Sequence, residues 1–332
     1  MTFELIFNMT VNQHNFKLGS HNIKGLHNRN ECKIQEITKE LVCDIEILSE
    51  VWGCGCEKQF EGYEIIAHSV PVKHLGVRSG RKSGGIIVLC RNEIKNSIKV
   101  KKNSKNFVWT EIDKRLIKNL EKNLILVSAY IHDANSSYYD PSNFEDISHG
   151  ITVFCDDNTP LIIMGDLNSR TGLSDERFSD PQCDVGHIDT ISNSITLPMR
   201  RNCDTTINGH GEKLLNLCRT FDLTILNGRS DGDPHGCFTY CDPNLGSSTI
   251  DYGICNLSSY NFLKNFMVLP QNELSDHCKI ITELALSNPV ISDESDKYDW
   301  NTVKPHYIWD QRDGLKFKLF LENANNELEE IK

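Results

Sequence analysis

The pattern of apolar residues predicts an α/β fold in which two sheets pack face to face with helices on the outside. Three observations carry this. Short apolar runs such as Ile86–Cys90 and Leu161–Met164 read as buried strands. Strand-like segments outnumber helix-like ones along the chain. The few helices interrupt the strands without alternating with them, as a regular βαβ winding would require.

In order, Phe16, Leu18, Ser20 and Asn22 alternate on one face of a first predicted strand. Residues 29–42 read as a helix, with Ile34, Ile37 and Leu41 at helical spacing. A second strand, Ile45–Leu48, leads into Ser49 and Glu50. Further strands are expected at Gly85–Cys90, Phe107–Ile112 and Leu124–Ile131. Residues 143–155 place Phe144, Ile147, Ile151 and Phe154 on one helical side, and Pro160 ends that segment before the strand Leu161–Met164. Residues 211–221 form another amphipathic helix through Leu214, Leu215, Cys218 and Phe221. Strands at Thr224–Leu226, Cys237–Tyr240, Ile250–Cys255 and His277–Leu284 complete the series. The first fifteen residues read as a loose extension, residues 16–286 as the main domain, and 287–332 as an acidic, partly helical tail.

Composition bounds the function. The chain of 332 residues is 39% hydrophobic and 24% charged, the balance of an ordinary globular protein. No apolar stretch approaches the ~18–20 residues of a membrane span, and the N-terminus lacks the pattern of a signal peptide. The expected location is therefore the nucleus or cytoplasm, without secretion. Thirteen cysteines at irregular spacing read as reduced thiols, since neither Cys54/Cys56 nor Cys237/Cys241 continues into a zinc-site spacing. The net charge of −11 disfavours tight, unspecific binding of a polyanion. Part of that charge belongs to the tail, and part suits a site that holds a metal ion.

The candidate chemistry lies at strand ends. Asn22 closes the first strand, Glu50 the second, and Tyr130 lies near the end of Leu124–Ile131. Asp166 and Asn168 follow the strand at 161–164 in Gly165-Asp166-Leu167-Asn168; Asp251 lies in Ser248-Thr249-Ile250-Asp251-Tyr252, and Asp276 and His277 in Ser275-Asp276-His277. Polar side chains at several sheet rims make a pocket suited to catalysis.

As an ordered set, the segments SHNIKGL (20–26), DIEILSEVW (44–52), VSAYIHDAN (127–135), IIMGDLNSRTG (162–172), SSTIDYGI (247–254) and LSDHCKI (274–280) resemble the endonuclease/exonuclease/phosphatase family over roughly 16–285. More narrowly, INGHGEKLLNLCRTFDLTILNG (207–228), CFTY with SSTIDY (237–252) and YDWN (298–301) are similar to the endonuclease region of LINE-type non-LTR retrotransposons. The resemblance implies a four-layer αββα sandwich of two mixed sheets, and a Mg²⁺-dependent DNA endonuclease that nicks one strand to leave a 3′-hydroxyl and a 5′-phosphate. Carried over residue by residue, Glu50 would hold the metal, helped by Asn22 and Asp276. Asp166 would orient or deprotonate the attacking water, with Asn168 fixing its position. His277 would hydrogen-bond a non-bridging oxygen, charged and oriented by Asp251. Tyr130 would donate to the phosphate or assist the leaving oxygen. Mn²⁺ suits such an oxygen-rich site as well as Mg²⁺. In one departure, Lys24 stands where some DNA-repair members carry an acid, which disfavours a role specific for abasic sites.

For substrate contact the better candidates are Arg170 and the basic loop 73–82 with Arg78, Arg81 and Lys82; Lys99, Lys101, Lys102 and Lys105 form a second basic cluster. Phe154-Cys155-Asp156-Asp157, similar to a reverse-transcriptase box, ends a predicted helix and is set aside. DNA is the expected partner and a monomer the expected state. Two alternatives stay open: a phosphodiesterase or phosphatase acting on RNA, an inositol phosphate or a lipid head group, and a domesticated protein that binds DNA or a partner without catalysis.

Overall fold

Period-2 alternation sorts the strands of the computed structural model, which describes residues 15–26, 31–53, 59–69, 82–176 and 197–286, into two six-stranded sheets. In chain order the elements are β1 (Phe16–Asn22), α1 (Glu31–Glu40), β2 (Ile45–Ser49), β3 (Tyr63–His68), β4 (Ile86–Arg91), β5 (Ile98–Asn103), β6 (Phe107–Ile112), β7 (Leu124–Tyr130), α2 (Asn143–Phe154) and β8 (Leu161–Asp166). They continue as α3 (Gly209–Thr220), β9 (Leu223–Ile225), β10 (Tyr240–Asp242), β11 (Gly246–Ser248), β12 (Asp251–Asn256), α4 (Leu257–Tyr260), β13 (Leu263–Val268) and β14 (Ile280–Leu284). One sheet has the order β13-β14-β1-β2-β4-β3 and the other β5-β6-β7-β8-β12-β9, with β10-β11 a separate hairpin.

Each sheet is mixed for a simple reason. β1 and β2 run parallel across the crossover α1, and β7 and β8 run parallel across α2; the other strand pairs are antiparallel. Alternate residues then face two different cores. Ile45, Ile47, Ile86, Val88, Leu126 and Met164 fill the space between the sheets. Leu48, Ile87 and Leu89 face outward onto Ile37 of α1 and Leu41 just after it. On the other outer face Trp109, Ile125, Val127 and Ile163 meet Ile147 and Ile151 of α2 and Leu214 and Cys218 of α3. Each such aliphatic side chain contributes roughly 1.5–3 kcal/mol by leaving water. The result is the four-layer αββα order.

The strands expected at 16–22 and 107–112 have those bounds, and the helix expected at 143–155 ends at Phe154. The helix expected at 211–221 starts two residues earlier, because Asn208 caps it by accepting a bond from the Gly211 N–H. The run Cys237–Tyr240 is not a strand: β10 starts at Tyr240, and the Thr239 hydroxyl is spent on the N–H groups of Ile250 and Asp251. Four strands were not expected at all, β3, β5 and β13 in the two large sheets and β11 in the hairpin. The N-terminal extension and the acidic tail lie outside the described residues. The nine cysteines whose side chains are described are free thiols.

Candidate active site

Strand register assembles the site. Across the second sheet Tyr130 of β7 is paired with Asp166 of β8, and Asp166 with Asp251 of β12. In the first sheet Asn22 is paired with Ser49, the residue before Glu50. Asp251 opens an antiparallel strand and His277 precedes one, so both reach the same rim as the residues that close parallel strands. Gly165, before Asp166, is required: a Cβ there would lie 1.9 Å from the Ala129 oxygen, and its φ is +148°.

Past the rim the backbone turns sharply. Lys24, Glu50, Trp52 and Asn168 all have φ between +47° and +54°. Asn tolerates this left-handed region, whereas Lys, Glu and Trp are strained in it, by roughly 1–2 kcal/mol each. Strain held by surrounding structure is common where side chains must be aimed at a ligand.

The hydrogen bonds fix each group. Glu50 accepts from the Tyr130 hydroxyl at 2.8 Å and from Trp52 Nε1 at 3.1 Å. Asp166 accepts from Asn22 Nδ2 at 2.9 Å and from the Asn168 N–H at 3.0 Å. Asn168 Nδ2 donates to the Ile131 oxygen at 2.8 Å. Asp251 Oδ2 lies 2.9 Å from His277 Nδ1, and the His277 N–H donates to Ser275 Oγ. Lys24 Nζ meets Asp276 Oδ2. Lys24, Glu50, Asp166, Asn168, Asp276 and His277, together with Asp133, Asn208, Tyr240 and Ser248, line a cleft of about 440 Å³, and Tyr130 and Asp251 reach it through Glu50 and His277.

Electrostatics follow from crowding. Burial, then the Asp251 and Glu50 carboxylates, push Asp166 up to about 8 against the pull of His277 and Asn22. Burial alone would lower the pKa of His277; the charge and hydrogen bond of Asp251, with Asp166 and Asp276 behind, overcome it and raise it to about 10. Burial and Glu50 hold the Tyr130 hydroxyl well above its usual range, so it stays a donor.

The donor set fits a hard divalent cation. Glu50, Asp166, Asp251 and Asp276 bring carboxylates to one place, Asn22 and Asn168 bring amides, and Asp166, Asp251 and His277 offer ligand atoms within 4.8 Å of one another. Such a site can bind a phosphoester through the cation, hold a water against Asp166, and present an imidazolium and a phenol to the developing charge.

The structure thus brings together Asn22, Glu50, Tyr130, Asp166, Asn168, Asp251, Asp276 and His277, all eight expected from sequence. Arg170 also lines the cleft, but its guanidinium is bound in a fork to buried Asp204, at 2.8 and 2.6 Å. Arg78 and Arg81 lie outside the described residues, and Lys82 is exposed. Lys99, Lys101 and Lys102 lie on the edge strand β5, where Lys101 pairs with Glu111. Asp156 of the set-aside motif pairs with Lys122, before β8 begins and so at the far end of that strand from Asp166. Sequence reasoning missed Trp52, Asn208 and Tyr240. Asn208 was legible as an Asn before a helix; it caps α3 and also receives the Arg170 N–H and donates to the Asn168 oxygen, holding that loop.

No protein-family model matches the sequence. No curated protein matches it either. Solved structures do match in fold. The 3′ phosphatase NExo from Neisseria, bound to a product DNA hairpin, aligns with a TM-score of 0.52 at 14% identity over 81% of this chain and 99% of that one. The endonuclease domain of TRAS1, a telomere-specific non-LTR retrotransposon, gives 0.53 at 14% identity over 83% and 100%. The AP endonuclease LMAP from Leishmania major gives 0.55 at 12% over 81% and 87%. At these identities the likeness is one of fold. Two mixed sheets between helices are what this chain shares with these three proteins.

Proposed function

We propose that this chain is a divalent-metal-dependent phosphodiesterase that nicks one strand of DNA, leaving a 3′-hydroxyl and a 5′-phosphate, and that it derives from a LINE-type retrotransposon. The observation that carries the reading is the convergence of Glu50, Asp166 with Asn168, Tyr130 and the Asp251–His277 pair in one cleft. A bound Mg²⁺ or Mn²⁺ supplies Lewis-acid polarisation of the phosphoryl group, and Glu50 and Asn22 are placed to hold it. Asp166, fixed by Asn22 and the Asn168 N–H, takes a proton from the attacking water. The water oxygen bonds to phosphorus as the bond to the 3′-oxygen breaks; the leaving oxygen, hydrogen-bonded by Tyr130, takes up a proton from solvent to become the 3′-hydroxyl. His277, oriented by Asp251, donates to a non-bridging oxygen. The TRAS1 likeness and the segments at 207–252 support the retrotransposon origin.

One observation favours a second reading. A net charge of −11 and a cleft with so many acids suit a small phosphoester, such as an inositol phosphate, better than a long polyanion. Supercoiled-plasmid relaxation in Mg²⁺ or EDTA, wild type beside His277→Ala, separates the two. Metal-dependent nicking that His277→Ala abolishes, with ends that a ligase reseals, supports the endonuclease. A folded wild type that leaves plasmid intact but releases phosphate from small esters overturns it.

A further inference from the structure

Four of the acids at the cleft, Glu50, Asp166, Asp251 and Asp276, fall into two kinds. Asp251 has a cationic partner supplied by the chain, His277 at 2.9 Å, and Asp276 has another, the ammonium of Lys24. The hydrogen-bond partners of Glu50 and Asp166 among the described residues are all neutral: a phenol and an indole for Glu50, a side-chain amide and a backbone N–H for Asp166. Asp251 and Asp276 thus have a cation in direct contact, whereas Asp166 has His277 only within 4.8 Å and Glu50 has neutral hydrogen-bond partners alone. Lys24 is also more than a loose surface lysine. The Asp276 side chain is only 13% exposed, and the Lys24 backbone is fixed at φ +47° with its N–H on Asn22 Oδ1 at 3.1 Å. A pair between two exposed partners would carry little weight; this one closes off a half-buried carboxylate inside the cleft.

We infer that Lys24 is a built-in cation that occupies the Asp276 corner of the cleft, so that the site takes one divalent ion, held at Glu50, and Asp276 is not among its ligands. A second dication there would face an ammonium at close range, which the local field disfavours. Lys24 is then the residue that sets the metal count, and its ammonium stands beside the path of an incoming phosphate. This rests on the reading of the site as cation-dependent, and it changes the role that the sequence suggested for Asp276.

The test is Mn²⁺ binding to the full chain, by calorimetry and by the electron-spin signal of free Mn²⁺, in about 0.15 M salt to screen weak surface sites. Wild type binds one ion, and Glu50→Gln loses it. Lys24→Asp, which places a second carboxylate beside Asp276, binds two. Removing the pair together, as Lys24→Asn with Asp276→Asn, leaves one ion with its affinity within about threefold, where loss of a true ligand costs at least about tenfold. Asn and Asp are at ease at positive φ, so these variants fold; circular dichroism verifies it. Two ions in the wild type, one ion in Lys24→Asp, or loss of the ion from the paired variant overturns the inference and leaves the proposed function standing. No ion in the wild type sinks the proposed function itself.

Discussion

His277 enters the cleft already aimed, with Nδ1 on Asp251 and its backbone N–H on Ser275, which leaves Nε2 as the atom for substrate. Its oxygen is also tied, by His21 Nε2 at 3.1 Å. Removing the imidazole in His277→Ala should lower kcat about 10²–10³-fold, the size of one lost donor to a developing charge. Asp251→Asn keeps the shape and loses the charge, so a smaller drop of about 10–100-fold is expected. The double variant should be no worse than His277→Ala, because the two residues act as one unit. Initial rates on a plasmid or a labelled duplex measure this, and additive losses would show that Asp251 works independently of His277. The pair was legible in sequence because Ser275-Asp276-His277 is contiguous and Asp251 begins an apolar run. Lys24 was visible only as a departure from pattern, because its partner Asp276 is 252 positions away. Nothing short of the fold reveals that pairing.

At the level of elements, what was legible divides along sheet position. Central strands such as β6 and β7 carry continuous apolar runs, β1 opens on an alternation, and all three are buried along nearly their whole length, so the apolar pattern finds them. The three unexpected strands of the six-stranded sheets are all edges, β3 and β13 of one sheet and β5 of the other. Each also carries a register shift, at Ile65/Ala67, Leu263/Asn265 and Val100/Lys102, which breaks the period of two on which recognition depends. The lysines of β5 serve there to discourage edge-to-edge pairing, which is why they read as a basic loop. The turn after β2 is the element that aims Glu50, and it depends on Trp52 seated on Gly25. A Cβ at Gly25 would lie 2.0 Å from Trp52 Cε3, and Gly25 has φ +98°. Gly25→Ala should therefore cost about 1–3 kcal/mol in urea denaturation. Trp52→Phe should change stability little, since it keeps an aromatic ring there. By removing the indole N–H from Glu50 it should weaken Mn²⁺ binding about tenfold. Unchanged Mn²⁺ affinity in Trp52→Phe would mean that Tyr130 alone positions Glu50.

The whole molecule balances two buried charge problems, one answered by histidines that stay neutral and one that waits for a cation. Burial lowers His21 to about 4, and burial with Lys105 lowers His132 to about 4, from the ordinary 6.5. The unfolded chain therefore binds more protons than the folded one between those values, and stability falls as pH drops through that window. For His21 alone the full loss is on the order of 3 kcal/mol, at ~1.4 kcal/mol per pH unit. Urea midpoints should decline from pH 7 to 4.5, and His132→Gln, which retains reach to Ser83 Oγ without titrating, should decline less steeply. Parallel curves would place the acid sensitivity elsewhere. The carboxylate side behaves oppositely. The Glu50 charge helps to raise Asp166, and the hydrogen bonds of both come from neutral donors, so their repulsion is stored in the folded state and released when a divalent ion binds. An ion that binds only the folded chain stabilises it by RT ln(1 + [L]/Kd), about 1.4 kcal/mol at ten times Kd. For a domain this size that raises the melting temperature by roughly 2–4 °C. Melting in EDTA and in Mg²⁺, with NaCl added to equal ionic strength, isolates the effect from screening. The rise should disappear in Glu50→Gln, whose carboxylate is gone, and persist in His277→Ala, which leaves both uncompensated acids in place. A rise of the same size in Glu50→Gln would locate the ion away from this cleft, and with it the chemistry.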